Sequence, residues 1–164
     1  MSDDREKGEI ILSILRIALG WLFMWPFFDK LFGLGFRTPA GGAVIDGVSP
    51  SSYVIYQTGG VFGDLFNSLA GNAFIDVLFM FALIAIGISL IFGIASKLGT
   101  LGASLFFITM YLIQVPPLDN PLIDYHIICL LAILVVYFLG GFRKLSLYEK
   151  WTSLWIVKRF PILE

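Results

Sequence analysis

The sequence predicts an all-α integral membrane four-helix bundle, with short surface helices in the 35–73 connection and an amphipathic C-terminal helix. Three observations carry this expectation. Apolar residues make up 58% of the 164 residues and charged residues 14%, against about 45–50% and about 25% in soluble domains. The mean hydropathy is +0.89, and a soluble fold of this size exposes too much surface to hide so many apolar side chains. The apolar residues also gather in four stretches of about 18–25 residues, the length that crosses about 30 Å of hydrocarbon at about 1.5 Å per residue. Inside lipid a spanning segment must satisfy its own backbone hydrogen bonds, so each stretch reads as a helix. The composition excludes a soluble enzyme, a disordered chain and a nucleic-acid binder with a basic face.

The first stretch runs from Ile10 to Leu34. The charged run Asp3, Asp4, Arg5, Glu6 and Lys7 precedes it, and the stretch is too long for the apolar part of a cleavable signal. The 35–73 connection is rich in glycine yet holds aromatic and aliphatic residues. Ser49-Pro50 is a helix-start signal, a capping residue followed by proline. Val61, Phe62, Leu65, Phe66 and Leu69 recur at helical spacing. Short helices lying over one end of the bundle are therefore expected here.

The second stretch runs from Phe74 to Phe92 and the third from Leu98 to Val115. The short turn between them, Gly93 to Lys97, makes an antiparallel pair. Ala85, Ser89 and Gly93 are spaced by four, as are Gly99 and Ala103, and small residues at that spacing let helices approach closely in lipid. The fourth stretch runs from Leu122 to Leu139. The membrane domain is thus 1–145, and 146–164 forms an interfacial tail. In that tail Leu147, Trp151, Leu154 and Trp155 share one helical face, with Lys150, Lys158 and Arg159 near or opposite, the pattern of a helix lying in the membrane interface.

Basic residues set the expected topology. Arg5, Lys7, Lys97, Arg143, Lys144, Lys150, Lys158 and Arg159 fall on one side, Lys30 and Arg37 on the other, and Arg16 lies within the first helix. The expectation is a multi-pass protein of the cell membrane with both termini and the Lys97 turn in the cytoplasm. The outer side then holds Asp29, Asp46, Asp64, Asp76, Asp119 and Asp124, a surplus of four negative charges.

Two sets of polar residues need an explanation. An arginine at hydrocarbon depth costs about 2.5–3.5 kcal/mol on insertion scales. Arg16 either snorkels to the inner boundary or turns inward as a guanidinium for an anionic or carbonyl-bearing ligand. On the second reading Arg16, Gly20, Phe23 and Phe27 share one face, a slot with a small floor and aromatic walls.

The other set lies at the outer helix ends. Asp29 and Lys30 close the first helix, Asp76 opens the second, and Asp119, Asn120, Asp124 and His126 surround the start of the fourth. Each carboxylate taken alone fits helix capping, because the macrodipole favours an anion at a helix start. Taken together they form a candidate catalytic group of Asp124, His126, Asp76 and Asp29, since a histidine beside carboxylates exchanges protons near neutral pH. Proton transfer is what quinone chemistry requires. Trp21, Trp25, Phe27 and Phe28 offer an aromatic slot, so Arg16, Trp21, Trp25, Phe27 and Lys30 are candidate quinone-binding residues.

One cysteine, Cys129, excludes an internal disulfide, a CxxC pair or an Fe–S cluster on this chain alone. One histidine is too few for bis-histidine haem, and no metal site is expected. His126 and Cys129 lie three apart on one helical face. That spacing allows a histidine-activated thiolate, or simply a small apolar filler.

The run LRIALGWLFMWPFFDKLFG (15–33) resembles the first helix of the DoxX/DoxD membrane proteins, with an arginine early and an acid–lysine pair at its end. FRTPAGG (36–42), GVSPSSY (47–53) and FNSLAGNAFIDVLFM (66–80) are similar to the DoxD-type branch, and NPLIDYHII (120–128) to the opening of the family's fourth helix. The resemblance covers most of residues 10–145 in family order. It implies a four-helix membrane subunit of thiosulfate:quinone oxidoreductase, that is, of a thiosulfate dehydrogenase using quinone as membrane electron acceptor. It also implies a second, DoxA-like subunit or another redox protein as partner, and directs interest to Arg16, Asp29, Lys30, Asp76, Asp124 and His126.

Thiosulfate is a dianion, and the outer surplus of negative charge would repel it. Its site is therefore expected largely on a partner. Besides the bilayer, a DoxA-like subunit and a second copy of the chain are the expected partners. The competing expectation is a non-catalytic membrane anchor or assembly protein for a redox complex, supported by the small-residue stripes and the interfacial tail. A transporter ranks last, because intramembrane charges are few.

Overall fold

The computed structural model describes residues 2–55, 60–117 and 120–164. Among these residues the chain is helical throughout its regular structure, and three helices are long and apolar enough to cross a membrane. The first, α1 (Ser2–Phe32), has 31 residues and is about 46 Å long at about 1.5 Å per residue. It begins well before the apolar stretch, because the charged run is itself helical; Arg5 and Glu9 pair one turn apart at 3.4 Å.

The 35–73 connection holds a 3₁₀ turn (Val44–Asp46), α2 (Pro50–Ile55) and α3 (Gly63–Asn67). The helix start at Ser49-Pro50 is as expected: Ser49 Oγ accepts the Ser52 amide at 3.4 Å.

The next helices, α4 (Ala73–Phe92) and α5 (Ser96–Gln114), follow the second and third apolar stretches closely. Asn72 caps α4 by accepting the Phe74 amide at 2.9 Å. Gly93 ends it at φ +66°, a left-handed conformation natural to glycine, and Ser89 Oγ closes the turn onto the Ile94 carbonyl at 2.6 Å. The expected close approach is present. A Cβ on Gly99 would fall 1.9 Å from Ser89 Oγ, so only glycine lets α5 sit this near α4.

The fourth apolar stretch differs from expectation. Its helix, α6 (Tyr125–Phe138), has 14 residues and is about 21 Å long, shorter than a full crossing. Pro121 interrupts the start, and Asp124 then caps the helix through the His126 and Ile127 amides. Leu122 and Ile123 are left outside it.

The tail also differs. Instead of one amphipathic helix it forms α7 (Tyr148–Ser153) and α8 (Trp155–Arg159), parted at Leu154, which is extended. A 3₁₀ turn (Pro161–Leu163) follows. This break lets the tail fold back. Trp151 Nε1 donates to the Leu163 carbonyl at 2.5 Å, and Lys97 Nζ meets Glu164 at 2.8 Å.

Helix α1 packs against α4 and α6, and α5 against α4 and α6. Contacts fix the directions. Arg16 abuts Gly93, Gly20 abuts Ile91, and Met24 abuts Gly87, so α1 and α4 are antiparallel. Ser13 Oγ ties α1 to the Gly141 carbonyl beyond α6 at 3.1 Å. Tyr111 OH donates to the Leu122 carbonyl at 2.8 Å, joining the end of α5 to the approach to α6. Leu19, Phe23, Leu83, Leu90, Phe107, Ile133 and Val136 make the shared core. Large apolar residues such as Phe81, Leu105, Ile128 and Phe138 face outward, the reverse of a water-soluble surface.

The antiparallel order gives the molecule two chemically distinct ends. Asp29, Asp76 and Asp124 lie at one, the acidic end. Arg5, Lys97, Arg143 and Lys144 lie at the other, the basic end.

Candidate functional site

At the acidic end each sequence-predicted carboxylate has a definite partner set. Asp29, in the last turn of α1 and 2% exposed, accepts the amides of Phe36, Arg37 and Thr38 at 3.3, 3.0 and 2.9 Å. It therefore folds the 36–38 segment back onto the helix end. Asp76, in the first turn of α4, accepts Ser49 Oγ at 2.8 Å and the Ser51 amide at 3.0 Å. It fixes the start of α2 over the end of the helices.

Asp124 does two things. One oxygen caps α6 through the His126 amide at 2.9 Å, and the other meets His126 Nδ1 at 2.5 Å. His126 is 3% exposed and its ring lies 3.8 Å from that of Tyr125. With Nδ1 engaged by a carboxylate, Nε2 is the imidazole atom left to exchange a proton. Lys30 is also buried, its ammonium 6.0 Å from the Phe79 ring.

All five residues share one end, as the sequence suggested. Among the described residues no hydrogen bond or ion pair joins Asp29 or Asp76 to the Asp124–His126 pair. Asp119 lies outside the described residues.

The candidate quinone slot on α1 is not assembled. Trp21 is 52% exposed; its ring lies 6.1 Å from Trp25, which packs edge-on against Phe36 at 4.8 Å. Phe27 packs against the core instead. At about 100° per residue, Phe27 leaves α1 on the side away from Trp25, so these rings cannot face one molecule. Phe28 stacks along the Phe32 side, 6.4 Å from that ring.

Arg16 belongs to the other end. It is 0% exposed, so it does not snorkel into solvent. Its Nη2 donates to the Leu145 carbonyl at 2.7 Å and the Lys144 carbonyl at 3.4 Å, and its guanidinium lies 5.5 Å from the Phe142 ring. A Cβ on Gly93 would fall 1.9 Å from Nη1, so the guanidinium fills the space beside the end of α4. It stands about 20 Å along α1 from Asp29. Through Nη2 it pins the turn after α6, while Nε and Nη1 are buried without a hydrogen-bond partner among the described residues.

Sequence reasoning missed an apolar groove of about 650 Å³ between α4 and α5, lined by Phe66, Phe79, Ala85, Gly102, Phe106 and Ser51 among others. The signal was present. Ala82, Ala85, Gly99 and Gly102 sit on facing helices, and small side chains flanked by phenylalanines leave a hollow as readily as a tight seam. Ser51 links the groove to the predicted residues, since its amide bonds Asp76. No residue of α6 lines the groove, so the Asp124–His126 pair lies apart from it.

Compared with known protein families, curated proteins and solved structures, the chain matches none.

Proposed function

We propose that this chain is the membrane subunit of a quinone-linked oxidoreductase of the thiosulfate:quinone type, crossing the cell membrane four times with both termini cytoplasmic. Three long apolar helices support membrane residence. On this reading α6, extended by Leu122, Ile123 and Leu139, makes the fourth crossing, and the basic end faces the cytoplasm.

One observation carries the functional reading. The α4–α5 groove is apolar, is of ligand size at about 650 Å³, and ends at Ser51, whose amide bonds Asp76. Its apolar wall fits a quinone better than the exposed Trp21–Trp25 pair does, so Phe79, Ala85 and Phe106 would hold the ring or its tail. A bound quinone supplies two-electron, two-proton acceptor chemistry. The chain's own contribution is to exclude water at Phe66 and Phe106 and to hold polar groups, Ser51 and Asp76, at the groove's end. The Asp124–His126 pair holds a proton at the same end of the molecule, and a DoxA-like or other redox partner binds the electron donor.

Organic extraction of the purified full chain, with mass spectrometry of the extract, tests this. A quinone at near-stoichiometric amount is expected, falling at least tenfold in Ala85→Leu, which fills the groove. A quinone-free extract from a stable wild-type preparation would overturn the reading.

A second reading, a non-catalytic membrane anchor for a redox complex, is favoured by one observation. The Asp29 carboxylate accepts three loop amides, a structural use. A stoichiometric partner co-purifying with a quinone-free chain would select it.

A further inference from the structure

A cavity of about 670 Å³ opens at the basic end, away from every carboxylate of the acidic end; its Ser96 and Lys97 fall between Ala95 and Leu98 of the groove. Its wall draws on four parts of the chain: Arg5 and Glu9 from α1, Lys97 from α5, Arg143 after α6, and Tyr148 with Glu164 from the tail. The wall thus holds three cations and two carboxylates. Glu9 pairs with Arg5 at 3.4 Å. Glu164 is held by Lys97 at 2.8 Å and by Tyr148 OH at 2.6 Å. Among the described residues no carboxylate pairs with Arg143, so it is the wall's cation left open to an anion.

We propose that this cavity binds the phosphodiester headgroup of an anionic phospholipid, with Arg143 as its principal contact and Arg5 beside it. The inference rests on the reading of the chain as a membrane protein. On that reading the cavity lies where α1 and α5 begin and α6 ends, at headgroup depth. Its volume is within the range of small-molecule sites. Phe138 and Leu139, which also line it, are 75% and 63% exposed, an apolar exit for acyl chains.

Charge selects the ligand. Arg143, with no carboxylate partner among the described residues, matches the negative charge of a phosphodiester, and its guanidinium fork suits the two free oxygens. A choline headgroup brings its own cation against Arg143 and Arg5. Inorganic phosphate offers the same oxygens but nothing for the apolar exit. Glu164 does not compete for Arg143, because Lys97 and Tyr148 together hold its carboxylate below the usual range and keep it engaged.

The test uses the full chain purified in mild detergent. Short-chain phosphatidylglycerol, short-chain phosphatidylcholine and inorganic phosphate are titrated separately, with binding read by native mass spectrometry and by the thermal unfolding midpoint. One saturable phosphatidylglycerol per chain is expected, with phosphatidylcholine at least tenfold weaker and phosphate weaker still. Arg143→Gln should weaken phosphatidylglycerol about fivefold. Lys158→Gln, which removes the same charge from the same end but outside the wall, should change it little. Equal binding of the two lipids, or phosphatidylglycerol binding unmoved by Arg143→Gln, would overturn the proposal. So would phosphate binding as tightly as the lipid with the same dependence on Arg143, which would make the cavity a phosphate site without a lipid. A carbonate wash of membranes separates the two readings. A chain retained in the pellet but without lipid selectivity defeats only the headgroup site, whereas a released chain defeats membrane residence and the lipid with it.

Discussion

Arg16 shows how one side chain acquires a role its sequence position leaves open. An arginine at this depth must find acceptors, snorkel or meet a ligand. Its Nη2 finds acceptors, while Nε and Nη1 stay buried without one among the described residues: Leu145 stands at φ +47°, an unusual conformation for a branched side chain, and its carbonyl accepts Nη2 at 2.7 Å. The arginine and the left-handed turn support each other. Arg16→Ala removes the contact and leaves a hole beside Gly93 and Phe142. Its expected cost is about 3 kcal/mol, combining a lost charged hydrogen bond with an unfilled volume. Arg16→Lys should recover only part, because an ammonium lacks the planar fork. Thermal unfolding in detergent checks the magnitude. Limited proteolysis checks the location, since cleavage should appear first near Leu145. By contrast Arg143→Gln, at an exposed position, should change stability by less than about 0.5 kcal/mol. Equal stability of Arg16→Ala and wild type would remove the pinning role.

Among the elements, the tail is the one whose form depends on contacts distant in sequence. Nothing between Tyr148 and Arg159 is a glycine or proline, so the sequence reads as one helix. The break at Leu154 follows from the bonds that Trp151 and Glu164 make after the chain has turned back. Titration should open this closure. The Glu164 carboxyl is held below its ordinary range by Lys97 and Tyr148, so its stabilisation is fully present above the unfolded value of about 4.3 and lost as pH falls below it. The Tyr148 hydroxyl, donating to Glu164, is pushed up to about 12, so its share is present below the unfolded value of about 10 and lost as pH rises towards 12. The tail is therefore expected closed between about pH 5 and 9, with Trp151 emission shifting at either flank. Tyr148→Phe should reduce the alkaline shift and keep the acid one; an unchanged alkaline shift would rule out the hydroxyl. The same logic explains what could be read in advance. Bounds of α4 and α5 follow from apolar length, the Asn72 cap and Gly93, all local. The start of α6 departs from the apolar pattern because Leu122 and Ile123 continue the apolar run while Asp124 caps beyond them. The shared depth of Asp29, Asp76, Asp124 and His126 was legible because helix length sets depth. The absence of a direct hydrogen bond between Asp29 or Asp76 and the Asp124–His126 pair was not, because it depends on how each helix is rotated and on which loop amides each carboxylate meets. The separation of Trp21 and Trp25 from Phe27 was legible from the helical period alone.

For the whole molecule, the decisive quantity is how many times it crosses the bilayer, and α6 decides it. Fourteen helical residues reach about 21 Å, whereas the hydrocarbon core is about 30 Å thick. The missing length must come from Leu122 and Ile123 on one side and Leu139 with the Phe142 region on the other, or from local thinning of the bilayer. Charge argues for a crossing. If α6 did not cross, the basic residues after it would lie on the same side as Asp29 and Arg37, and the separation of basic from acidic ends would have no counterpart across the membrane. Exposed aromatic residues argue likewise: Trp155, 77% exposed, stands beside Lys158 and Arg159 at the basic end, the composition of an interfacial belt. Two single-cysteine variants in a Cys129→Ser background separate the cases. Ala40→Cys lies after α1 and Lys150→Cys after α6, both at exposed positions. With four crossings, a membrane-impermeant maleimide should label Ala40→Cys only in right-side-out vesicles and Lys150→Cys only in inside-out ones. Labelling of both from one side means that α6 does not cross, and then the basic residues after it share a side with Asp29 and Arg37. Opposite sides with the order reversed would keep the four crossings and invert the orientation, placing the acidic end in the cytoplasm.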